Sequence, residues 1–135
     1  MGKFVDNIPL QFQPHEEEHV IHVGAIRALK DNRCDIDSFL PTFIERNKHS
    51  FFSGSFSKSE YSMSLFTSLE ALHLKFNFHA IFWKNHKGVA QGTTSIKRGI
   101  SLKAGTDGHI DYFIYDTYNN NPCDDFKVIE DTFNE

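Results

Sequence analysis

Cysteine is scarce in this chain. Cys34 and Cys123 are its only two cysteines in 135 residues and form no CxxC pair, so a secreted scaffold held by disulfides is excluded. No apolar run approaches the ~20 residues that a membrane span requires. Positive charge is also short. Fourteen Lys and Arg against 18 Asp and Glu leave a net charge of −4, which argues against binding nucleic acid or an anionic membrane by bulk charge. No glycine-rich phosphate loop occurs, because Gly88, Gly92, Gly99, Gly105 and Gly108 fit neither the Walker nor the dinucleotide spacing. The start, MGKFVDNIPLQF, lacks the apolar core of a signal peptide. Asp6 occupies the position where a myristoylated Gly2 would want Ser or Thr. A cytoplasmic protein without a cofactor is therefore expected.

What is present is globular. Hydrophobic residues make up 39% and charged residues 24%, with 14 Phe, 4 Tyr and 1 Trp to build a core. The length suits one domain over residues 1–135, burying roughly two-thirds of its unfolded surface.

The hydrophobic rhythm divides the chain near Asn77. Before it, helical spacing is expected over residues 15–30 and 37–48. Leu65, Leu69, Leu72 and Phe76 form the clearest amphipathic stripe, and Ser57 with Glu60 forms a capping box ahead of it. After it the period becomes two, predicting strands over residues 78–84, 93–103, 109–118 and 126–130, with Asp107-Gly108 as a turn. Helices first and strands second predict an α+β fold: N-terminal helices packed on one face of a C-terminal antiparallel sheet of about four strands.

Three groups of residues carry candidate chemistry. His15-Glu16-Glu17-Glu18-His19 spells HExxH, the string of zinc proteases. Pro14 and the two central glutamates argue against that family. On a helix turning about 100° per residue, however, His15, His19 and His22 would gather within about one-sixth of a turn, where they could share a metal or act as a pH switch.

Cys34 stands just ahead of the second expected helix, where a helix dipole can lower a thiol pKa, and His109 opens the best strand. Lys30-Asp31-Asn32-Arg33-Cys34 and Gly108-His109-Ile110 resemble the Cys and His segments of the papain-like amidases that cut bacterial cell-wall peptides. That resemblance implies Cys34 as nucleophile, His109 as general base and a polar orienter such as Asp116. His79 is an alternative base. Asp35 and Asp37, where the family has small residues, would raise the thiol pKa and oppose activation.

The third group is acidic and aromatic. Alternation along residues 109–118 places Tyr112, Asp116 and Tyr118 on one sheet face and Asp111 and Tyr115 on the other. Tyrosines rimmed by carboxylates suit a basic protein partner. The expected function is accordingly a protein-binding module of the inhibitor or immunity type, contacting its partner through Asp111, Tyr112, Tyr115, Asp116 and Tyr118. The alternative is a cysteine-dependent amidase, peptidase or deamidase.

Overall fold

A computed structural model describes residues 4, 8, 10–31, 33–34, 38–39, 61–77, 79–117 and 119–132. Among them the chain is α+β, with one antiparallel sheet of six strands and a few short helices. The strands are β1 (Ala25–Leu29), β2 (Met63–Phe66), β3 (Gly88–Gly92), β4 (Gly99–Ser101), β5 (His109–Ile114) and β6 (Phe126–Ile129). They lie in the order β4-β5-β2-β1-β3-β6. Two short helices, α1 (Leu69–Lys75) and α2 (Ala80–Asn85), follow β2.

The cross-strand registers assign every strand residue to a face. Ala25, Leu29, Met63, Leu65, Ala90, Ile110, Tyr112, Ile114 and Phe126 build the core on one side, joined by Phe39 and Cys123, with Cys34 and Ala104 packed against it. Ile26, Ala28, Phe66 and Val89 face the other way, where Leu72 of α1 and Phe82 and Trp83 of α2 cover them. On that same side, at the β4–β5 end, Phe4 and Ile8 close over Ile100 and Phe113.

The helix expected over residues 15–30 is not formed. Glu16–Glu18 makes one 3-10 turn, His19 is extended, and Ala25–Leu29 is a strand buried along its whole length. A strand covered on both faces reads as a continuous apolar run, which periodicity does not distinguish from a buried helix. The opposite error occurs at residues 78–84, expected as a strand. Ala80–Asn85 is helical, because Phe82, Trp83 and His86 share one helix face while Ile81 points to solvent.

The sheet has six strands rather than four. The spacing over β1 and β2 predicts helix, and β3, bounded by Gly88 and Gly92, carries no strand signal of its own. The sheet is thus interleaved with the helices instead of following them. Leu65 of the amphipathic stripe belongs to β2 and faces away from Leu72. The rest of that stripe is α1, capped by the Ser68 hydroxyl accepting from the Ala71 N–H. The expected helix at 37–48, the capping box at Ser57 and Glu60, and Tyr118 lie outside the described residues.

Strands 109–118 and 126–130 are found as β5 and β6, and β4 is a short part of 93–103. The Asp107-Gly108 turn forms with Gly108 at φ +84°, a region glycine enters without steric cost. Gly99 permits the closest strand approach. A Cβ there would collide with the Phe113 carbonyl.

Arg27 is buried in the middle of this hydrophobic architecture, 7% exposed. β1 and β2 register only at Ile26 opposite Phe66. Beyond that pair the guanidinium reaches into their seam. Its Nη1 donates to the Ser64 carbonyl and its Nε to the Ser38 carbonyl, both at 2.7 Å. Arg27→Met would keep the bulk and remove both donors from buried carbonyls. A loss of about 2 kcal/mol or more of unfolding free energy is expected in urea titration. A change below about 0.5 kcal/mol, the scale of ordinary surface substitutions, would show that the seam does not depend on the guanidinium.

Candidate active site

The site is generated by the pairing of β2 with β5, where Ser64 stands opposite Asp111 and Phe66 opposite His109. Side chains alternate between faces, so Ser64, Phe66, His109 and Asp111 share the face that α1 and α2 cover. Met63, Leu65, Ile110 and Tyr112 anchor both strands from below. His109 and Ser64 are diagonal neighbours on this face, and the imidazole Nε2 lies 2.9 Å from the Ser64 Oγ. On its other side, Nδ1 is 3.8 Å from Asp111 Oδ1. That is an electrostatic contact, too long for a hydrogen bond.

Asp111 and His109 are held from outside the row. The Ser62 hydroxyl, itself fully buried, donates to Asp111 Oδ1 at 2.7 Å. The imidazole packs edge-on against Phe66, with ring centroids 5.5 Å apart. The His109 N–H donates to Asp107 Oδ1 at the turn. That bond, followed by the nearby Lys75 ammonium, holds the Asp107 carboxyl below the usual range. A carboxylate facing Nδ1 favours the neutral tautomer protonated there, leaving Nε2 to accept from the Ser64 hydroxyl. Serine, imidazole and carboxylate then stand in the order that acyl-transfer enzymes use.

Ser64 also lines a cleft of about 210 Å³, walled by Ala28, Phe66, Phe76, Phe82 and His86, with Arg27 beside it. The guanidinium is bound to the main-chain carbonyl of Ser64, and the Arg27 side chain, between Ala25 and Leu29 and opposite Ala90, leaves β1 on the other sheet face from the Ser64 hydroxyl.

The sequence-predicted residues are distributed differently from expectation. Cys34 packs against the core cluster on the opposite sheet face from His109, so the sheet lies between thiol and imidazole. The pair implied by the papain-like resemblance is not brought together. Asp116 is exposed beyond the end of β5, and His79 is exposed at the start of α2.

The tyrosine platform is not assembled either. Tyr112 is 1% exposed, with its hydroxyl accepting from the Ser95 N–H and donating to the Ser95 carbonyl, and burial pushes its pKa up to about 12. Tyr115 is half-buried against Phe4. Asp111 belongs to the row with His109. Of the two faces, the one carrying Tyr112 turns inward, because Ile110, Tyr112 and Ile114 are the apolar face of β5.

His15, His19 and His22 lose their shared helix face together with the helix. Among the described residues no three metal-ligating side chains converge. His15 is exposed. His22 Nε2 faces the Leu102 carbonyl at 2.8 Å, and His19 Nδ1 accepts from the Ser101 N–H at 3.0 Å.

Sequence reasoning missed Ser64, Ser62 and Arg27. A signal was available for the serines. Ser62-Met63-Ser64-Leu65 alternates polar and apolar residues, as His109-Ile110-Asp111-Tyr112 does, so both segments offer a polar row on one strand face. Nothing local paired them.

Comparison with known proteins finds no matching family model, no matching curated protein and no matching solved structure. Among the described residues, no helix is long and apolar enough to cross a membrane.

The His19 contact has a pH consequence. Burial, then the neighbouring His22, holds the His19 pKa below its ordinary 6.5, and the Ser101 N–H requires Nδ1 to stay unprotonated. Unfolded His19 therefore binds its proton at higher pH than folded His19. Its contribution to stability is complete above pH 6.5 and is lost as pH falls through the window beneath that value. In His19→Asn the side-chain oxygen can replace Nδ1 as acceptor without titrating. Urea midpoints measured at pH 7.5 and 5 should fall less in the variant than in the wild type. Equal falls would remove His19 from the acid response.

Proposed function

We propose that this chain is a serine hydrolase acting on carboxylic esters or related acyl compounds. The observation that carries the proposal is the 2.9 Å contact of His109 Nε2 with Ser64 Oγ, with Asp111 on the Nδ1 side of the ring. A serine hydroxyl is a weak nucleophile at neutral pH until a base takes its proton, and an adjacent imidazole is such a base.

In this reading Ser64 Oγ attacks the acyl carbonyl carbon as its proton passes to His109 Nε2. The tetrahedral intermediate collapses, the bond to the leaving alcohol breaks, and Nε2 returns the proton to that alcohol. Water then attacks the acyl-serine while His109 accepts its proton. The carboxylic acid leaves, and the proton returns to Ser64. Asp111 stabilises the imidazolium formed in both halves, and Ser62 keeps Asp111 in place.

A thiol mechanism has less support, because Cys34 is across the sheet from His109. Recognition of a protein through the C-terminal tyrosines likewise has less support, because Tyr112 is buried.

A fluorophosphonate probe followed by peptide mass spectrometry tests the proposal. Ser64 should carry the label, and Ser64→Ala should abolish both labelling and turnover of p-nitrophenyl acetate, a loss of about 10³-fold or more. His109→Gln should match it. Asp111→Asn should cost less, about 10- to 100-fold, because its contact with the ring is electrostatic and longer than a hydrogen bond. Labelling that persists in Ser64→Ala, or a wild-type protein that is never labelled between pH 6 and 9, would refute the mechanism.

A further inference from the structure

We infer that the cleft beside Ser64 is a pocket for a short acyl group, of about six carbons or one phenyl ring at most, and that it excludes fatty-acyl chains. This rests on the hydrolase reading for its chemistry, but the size limit comes from the walls alone. The cleft encloses about 210 Å³, below the ~300–1,000 Å³ of pockets that hold drug-sized ligands. That is room for one short chain or one ring and not for a drug-sized ligand. A hexanoyl or benzoyl group fills it.

The wall facing the strands is braced rather than soft. Phe82 is stacked between Phe76, at a centroid distance of 3.7 Å and 4° from parallel, and His86, at 4.0 Å and 17°. Phe76 meets Phe66 edge-on at 5.9 Å. Two hydrogen bonds fasten this stack to the backbone: Trp83 Nε1 donates to the Phe76 carbonyl at 3.0 Å, and His86 Nδ1 lies 2.8 Å from the Phe82 carbonyl. A longer chain would have to displace a ring that has neighbours on both faces. Close-packed aromatic walls resist such displacement. The other wall is the small side chain of Ala28, on β1. The volume beneath the phenylalanines therefore depends on that residue staying small.

The experiment has two readouts. In the first, p-nitrophenyl esters from acetate to dodecanoate are assayed with the wild type. The kcat/KM should hold or rise to hexanoate and benzoate and then drop about tenfold or more by octanoate, the scale on which a filled pocket rejects an added methylene. Phe82→Ala should move the limit outward by at least two carbons. In the second, the free acids butyrate, hexanoate, benzoate and dodecanoate are titrated into Ser64→Ala protein by NMR. Hexanoate and benzoate should shift Ala28, Phe66 and Phe82 resonances, and dodecanoate should not. Ala28→Leu should abolish that binding without opening the aromatic stack.

A limit that persists unchanged in Phe82→Ala, or dodecanoate binding as well as hexanoate, overturns the inference. So does the absence of binding by any acid. If no ester is hydrolysed and Ser64 is not labelled while the acids still bind with the stated limit, the catalytic reading fails and the pocket stands.

Discussion

The antiparallel register of β2 on β5 is the constraint from which the site follows. It sets Ser64 opposite Asp111 and Phe66 opposite His109, and the alternation of side chains does the rest. A slip of one residue would turn Ser64 to the far face and bring Met63 up in its place. What prevents the slip is the lower face. Met63, Leu65, Ile110 and Tyr112 are all nearly inaccessible to solvent there, and a shifted strand would expose them. The polar row above is thus located by an apolar row below, and its geometry is inherited from hydrophobic burial rather than from the weak contacts within it.

The second support is the helical layer. α1 and α2 lie on the same face as the polar row and cover the centre of the sheet with Leu72, Phe82 and Trp83. They leave the cleft where β1 and β2 part. Into that parting comes Arg27, whose guanidinium binds carbonyls at Ser38 and Ser64. A charged group is costly to bury unless it is hydrogen-bonded. Here the bonds also fasten the Ser64 main chain from the face opposite its hydroxyl. His73 ties the same layer to the C-terminal segment, stacked on Trp83 at 4.5 Å and 2.7 Å from Asp131.

Much of the back half was legible because its signals are local. The β5 strand, the Asp107-Gly108 turn before it and the β6 edge strand each follow from residues adjacent in sequence. Two of the elements that differ from expectation do so for one shared reason. Ala25–Leu29 is buried on both faces, and Ala80–Asn85 is too short to show its period, so an apolar run suggested the wrong geometry in each case. Those errors then propagated to the candidate sites. The histidine cluster depended on a helix that is really a turn and an extended segment. The thiol–imidazole pair depended on Cys34 approaching the face where His109 lies.

The amino-acid order by itself determined the class of the fold, the polar–apolar alternation of Ser62–Leu65 and of His109–Tyr112, and the turn that launches β5. Only the tertiary structure decided which alternating segment lies beside which. Ser64 and His109 are 45 positions apart, and periodicity carries no information about partners at that separation. The choice is made when the two apolar rows are buried together, and the serine and imidazole meet because they ride on the opposite face of the same two strands.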